Sequence, residues 1–217
     1  MLDNKRGEQL IYLCQEFVRI PSLSGKEEKM ARSVAASARA LGYDQVDLDH
    51  YGNVLMRVRF SEEGPRLLLH AQMDHVDPGD SADWSFYPYS AEISRKRIYG
   101  TGSMDQKGSL AAMILAGAFL KEDDRRGELR GELIVAGAVQ QECFDALAAR
   151  AIVSAARPDA VVIGDASGLE LVRGQPGRAK IALQIDGQMA HVLSPAYGVN
   201  AAEKMLVVLD AIKRKYV

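Results

Sequence analysis

The chain has 217 residues, 47% of them hydrophobic and 26% charged, with a formal net charge of -2. That is an ordinary globular balance, and it gives no basic surface excess of the kind nucleic acid or an anionic membrane requires. No apolar run reaches the ~20 residues that span a bilayer, the polar start lacks a signal-peptide core, and Cys14 and Cys143 make no disulfide framework, so a cytoplasmic protein is expected.

Leu10, Leu13, Cys14, Phe17 and Val18 recur at helical spacing up to Pro21, which ends that helix and leaves Cys14 in its core face. Ser24 and Glu27 form a capping-box pattern for a second helix, with Met30, Val34, Ala38 and Leu41 as its stripe and Gly42 as its stop. Val46 and Leu48, the Gly52-Asn53 turn and Val54 to Val58 read as a hairpin. His50, beside the turn, is expected in solvent. A strand follows over 67–74.

A loop carries Trp84, Phe86, Tyr87 and Tyr89, which either wall a cleft or pack over the core. The glycine-flanked run Gly100 to Gly108 leads into an apolar helix ending near Leu120, and Lys121 to Arg130 is a solvated connection. Glu132 to Val139 reads as a strand, 144–156 as a helix stopped by Pro158, and Ala160 to Ile163 as a short buried strand. Leu169 to Val172 and Ala179 to Ile185 read as strands around the Gly174–Gly177 turn, followed by an amphipathic helix from about Asn200 to Lys213.

Strands alternating with helices imply an α/β three-layer sandwich with a mostly parallel sheet. Residues 1–175 form its first domain, and 176–217 the opening strand and helix of a smaller α+β domain. In such folds ligands gather at the carboxyl ends of strands. Asp74, Glu142 and Asp165 lie at or just past strand ends, and Asp105 lies in a loop before a helix. Four converging carboxylates repel one another and call for cations. His70, Gln72 and Asp74 alternate along the 67–74 strand and share one face, whereas His75 points to the other. Gly100-Thr101-Gly102 has the wrong glycine spacing for a nucleotide fingerprint.

These blocks together resemble the co-catalytic zinc peptidases and amidohydrolases, the family of aminoacylase, acetylornithine deacetylase and succinyl-diaminopimelate desuccinylase. Ala71-Gln72-Met73-Asp74-His75-Val76 resembles the family's Gly-His-Met-Asp-Thr-Val. Gly100 to Gly108 is similar to its Gly-Arg-Gly-Ala-Ser-Asp-Met-Lys-Gly. Val139 to Glu142 resembles its Glu-Glu block, and Ile163-Gly164-Asp165 its Ile-Gly-Glu. Gly187 to His191 with Pro195, Gly198 and Asn200 resembles its lid-domain signature. Within the family, the blocks resemble those of the dihydropyrimidinase-operon-type deacetylases.

The resemblance implies hydrolysis of amide bonds in N-acyl amino acids or small peptides by water on a divalent metal, zinc in the family. Carried over, Asp105 would bridge two metals, Asp165 and Gln72 would complete the first, and Glu142 would hold the second. Asp74 would orient residue 72, Gln141 would stand at the general-base position, and His191 would bind substrate, often across a dimer contact. The resemblance implies a homodimer as partner; a second chain that supplies the second metal's missing histidine is the other expectation.

The departures fall on the chemistry. Gln72 replaces an imidazole ligand with a neutral amide, a poorer donor to zinc. Gln141 replaces a carboxylate with an amide that cannot take up a proton at neutral pH. The second metal's histidine lies, in the family, in a C-terminal segment not found within these residues. Asp105, Glu142, Asp165 and Gln72 make an all-oxygen set, which suits magnesium, manganese or calcium better than zinc. His70 would serve as a ligand only if the metal moved, and Cys143 is expected as a buried thiol at a helix start. The chain is therefore expected to be an impaired or inactive hydrolase, or else a non-catalytic binding or regulatory relative or the product of a split gene that needs a second chain.

Overall fold

The structure is a computed structural model that describes residues 4–143, 147–174, 177, 179 and 181–216. The chain divides into two compact units, Met1–Leu171 and Val172–Val217. In the first unit the elements run α1 (Asn4–Val18), α2 (Glu28–Ala40), β1 (Gln45–Leu48), β2 (Val54–Arg59), β3 (Arg66–Gln72), β4 (Glu92–Ser94), β5 (Arg97–Tyr99), α3 (Gly108–Glu122), β6 (Glu132–Ala138), α4 (Leu147–Ala156) and β7 (Ala160–Ile163).

One five-stranded sheet has the order β1-β2-β6-β3-β7. β2 is antiparallel to both β1 and β6, while β3 is parallel to β6 and β7, so only β2 opposes the others. Strand alternation divides its side chains between two cores. Val54, Met56, Val58, Ala71, Leu133 and Val135 pack with Phe17, Val34 and Ile114 of α1, α2 and α3. Leu55, Leu68, Ile134 and Ala136 pack with Ile152 and Ala156 of α4 on the other face. This is the expected three-layer α/β sandwich. Each fully buried large side chain, such as Phe17 or Met30, contributes ~1.5–3 kcal/mol of transfer free energy.

Four local expectations fail. β7 is not buried: it is the sheet edge, with Val162 49% and Ile163 63% exposed, because β3 pairs with it on one side only. Leu169 to Val172 forms no strand, nor do the described residues of 179–185, where Ile181 is exposed; residues 175, 176, 178 and 180 lie outside the described set. Cys143 is exposed rather than buried, because it sits in a turn past β6 and not inside a helix. The Ser24–Glu27 capping box does not form: Glu27 precedes α2 with helical backbone angles and no side-chain cap bond.

The β4–β5 hairpin was not read from the sequence. Its turn residues Arg95 (φ 49°) and Lys96 (φ 61°) both occupy the left-handed region, where glycine or asparagine is the usual signal.

The second unit carries α5 (Ala201–Tyr216) and an isolated bridge between Gln188 and Val199. The Asn200 side chain accepts from the Ala202 and Glu203 amides and caps that helix. Leu206 and Val207 of α5 are exposed.

Candidate functional site

The site lies at the carboxyl ends of β3 and β6, which run parallel with Gln72 opposite Ala138. Past β6, Gln140 adopts φ 57°, a conformation uncommon outside glycine, and turns the chain so that Gln141 and Glu142 follow. Glu27 holds this turn, its Oε1 accepting from the Gln140 amide at 2.8 Å. Asp74 is fully buried. Its Oδ2 accepts from the Ser24 hydroxyl at 2.6 Å and from the Glu142 amide at 3.0 Å. Ser24 and Glu27 therefore leave the helix cap and brace two strand ends. Their sequence signal was present but pointed to the commoner local use.

Gln72 is buried, and its Nε2 donates to Glu142 Oε1 at 2.7 Å. The amide nitrogen, which can only donate, therefore faces Glu142. The Gln72 backbone amide donates to Gln106 Oε1 at 3.1 Å. Asp74 Oδ1 is buried without a partner. A metal-ligating imidazole would normally donate its second N–H to such a carboxylate. The orphan oxygen thus marks what Gln72 does not supply.

Asp105 sits on the loop after Gly102 and is exposed. Partial burial, and then the carboxylates of Glu142, Asp165 and Asp74, raise its carboxyl above the ordinary range. The four acids therefore share one field, but they do not close into a ligand set. Among the described residues no three His, Cys, Asp or Glu side chains are grouped so that they could hold a metal ion. Asp165 is exposed, and its Oδ1 takes the Ala166 amide at 2.7 Å. Gln141 Nε2 donates back to the Val139 carbonyl at 3.1 Å. The residues present do not fit the zinc pair of the family. At the position where the resemblance would put an imidazole ligand, Gln72 is an amide bonded to Glu142, and at the position where it would put the base, Gln141 is an amide bonded to the Val139 carbonyl.

Lys107 escaped the sequence reading. Its side chain is fully buried, its Nζ donates to the Ile20 carbonyl at 2.6 Å, and burial pushes its ammonium down to about 7. A lysine between glycines ahead of an apolar helix was the available signal.

The histidines divide by role. His75 is buried on the opposite face, where its Nε2 accepts from the Ser22 amide at 3.0 Å and its Nδ1 lies 2.7 Å from the Val76 carbonyl. Burial lowers its pKa. His70 has both ring nitrogens buried without partners, and burial lowers its pKa. His191 is exposed in the second unit, its Nδ1 accepting from the Leu193 amide at 3.2 Å. His50 is exposed and packs on Tyr51. The loop aromatics pack among themselves and on the hairpin, Tyr87 against Tyr89 and Phe86 against Tyr99, with Trp84 Nε1 donating to the Pro78 carbonyl at 2.9 Å.

Comparison with known proteins agrees with this architecture. The chain is 33% identical over 202 residues to the uncharacterized protein YgeY of Escherichia coli strain K12, covering 92% of this chain and 49% of YgeY. It is 28% identical over 225 residues to the acetylornithine deacetylase of Klebsiella pneumoniae strain 342, covering 95% of this chain and 57% of that enzyme. It spans about half the length of these curated relatives. The M20 metallo-carboxypeptidase Sso-CP2 from Sulfolobus solfataricus has the same fold, with a TM-score of 0.62 at 21% identity over 75% of this chain and 37% of that one. Residues 68–210 match Peptidase family M20/M25/M40, and the chain belongs to that family.

Proposed function

We propose that the chain is an M20 relative that retains the strand-end site for a small N-acyl amino acid or peptide ligand but has lost, or nearly lost, metal-driven hydrolysis. The Met1–Leu171 unit would be its catalytic-type domain and the remainder the start of a lid domain. Support for the ligand class comes from the family, whose members above include a deacetylase and a carboxypeptidase. Support for impairment comes above all from the Gln72–Glu142 hydrogen bond. It ties up one carboxylate oxygen with a neutral donor where two metal-ligand positions meet. Gln141 adds to this, since loss of a positioned base costs about 10²–10⁴ in rate.

The proposal is tested by incubating zinc- and manganese-loaded protein with N-acetylornithine and a dipeptide panel. The expected result is turnover no higher than that of a Gln141→Ala variant, with saturable ligand binding in calorimetry. Turnover at the rates of an acetylornithine deacetylase measured alongside would refute it.

A further inference from the structure

We propose that the first unit carries a second binding site, for a small multivalent oxyanion, at the sheet end opposite Gln72 and Glu142. A cavity of about 770 Å³ opens there, lined by Arg57, Arg59, Arg66 and Arg157. Register brings the first three together. Arg59 pairs with Glu132, and Glu132 pairs with Arg66. Alternation places Arg57, Arg59, Arg66 and Glu132 on the same face as Leu55, Leu68 and Ile134, the face that α4 covers. Arg157 follows the last residue of α4, held at φ 45°.

The charge is not balanced within the cavity. Only Glu62 and Glu132 among its lining residues are acidic. Glu132 is shared, with Arg57 Nη1 at 2.9 Å from one oxygen and Arg59 Nε at 3.3 Å from the other. Arg57 also donates to the Ala155 carbonyl at 3.1 Å, which fixes its guanidinium and occupies one carbonyl of the α4 end. Asp159 serves the backbone of Arg66, accepting its amide at 2.7 Å. The Arg66 and Arg157 guanidinium groups have no carboxylate partner among the described residues.

Two braced and two unpaired guanidinium groups around one cavity repel one another. A doubly charged oxyanion relieves that repulsion, and the planar fork of arginine binds such oxygens in bidentate fashion. The volume suits a small-molecule site, which runs to roughly 300–1,000 Å³. The ligand class is a phosphate ester or a di- or tricarboxylate. From Arg66 to Gln72 the strand rises ~20 Å, so this site is separate from the one above and independent of its chemistry.

The test is calorimetry of the full chain at low ionic strength with pyrophosphate and with citrate. We expect saturable binding with a Kd below ~1 mM, weakened about tenfold or more in an Arg66→Ala/Arg157→Ala variant. A Lys26→Ala/Lys29→Ala variant, which removes equal charge from exposed positions elsewhere, should keep the affinity. If the first variant loses its helical circular dichroism, Arg66→Gln/Arg157→Gln, which keeps most of each stem, replaces it with the same expectation. Stronger binding of pyrophosphate identifies a phosphate ester as the ligand class, and stronger binding of citrate a polycarboxylate. Absence of saturable heat with both anions, or equal weakening in the lysine variant, overturns the site.

Discussion

A histidine at position 72 would ligate a metal through one ring nitrogen and donate through the other to Asp74. Glutamine does neither here. Its amide donates to Glu142, and Asp74 Oδ1 is left without a donor. Asp74 is nonetheless fully buried, which is costly for a carboxylate unless hydrogen bonds hold it. The Ser24 hydroxyl and the Glu142 amide are the bonds that do so. Ser24→Ala should therefore destabilise the chain by ~1–3 kcal/mol in urea unfolding. In a double-mutant cycle with Asp74→Asn the coupling should be ~0.5–3 kcal/mol. Zero coupling would show that the Ser24–Asp74 hydrogen bond does not hold the buried carboxylate. The capping-box pattern was legible and its use was not, because a Ser-x-x-Glu spacing carries no information about a strand end 50 residues away.

Among the elements, the long periodic ones were legible. α1, α2, α3 and the β1–β2 hairpin follow from apolar spacing and turn residues. β7 was misread as buried because a short apolar run has no periodicity to tell a core strand from an edge strand. β4 and β5 were missed because two charged residues, Arg95 and Lys96, make their turn.

The contact between α3 and the segment after α2 is also tertiary in origin. The buried Tyr43 hydroxyl donates to the Ile114 carbonyl at 2.7 Å, and Gly117 leaves room for it, since a Cβ there would lie 2.1 Å from that oxygen. Burial raises the Tyr43 phenol well above its ordinary range. Above pH ~10 the unfolded phenol ionises while the folded one keeps its proton, so the folded state binds more protons there and stability falls as pH rises. Below that pH the contribution is fully present. Tyr43→Phe should cost about 1 kcal/mol at pH 8 and flatten this alkaline loss. An alkaline slope in Tyr43→Phe equal to that of the parent would show that Tyr43 is not its source.

At the scale of the whole molecule, the order of motifs identified the family, and the sandwich and its site-bearing strand ends followed from it. Gln72 and Gln141 were legible as departures from the family's blocks. It could not reveal that Gln72 and Glu142 bond to each other, because that contact depends on how the β3 and β6 ends approach in space. The second unit was least legible, since the described residues ahead of α5 form one isolated bridge rather than strands.

On the proposed reading, the Gln72–Glu142 hydrogen bond stands where a relative would hold metal. Zinc calorimetry on the parent chain and on Gln72→His/Gln141→Glu tests it most directly. Parent binding should be no tighter than ~10 µM, with a gain of about tenfold or more once the imidazole can meet Asp74 Oδ1. Two zinc ions bound at sub-micromolar Kd by the parent, or unchanged affinity in the variant, would contradict it.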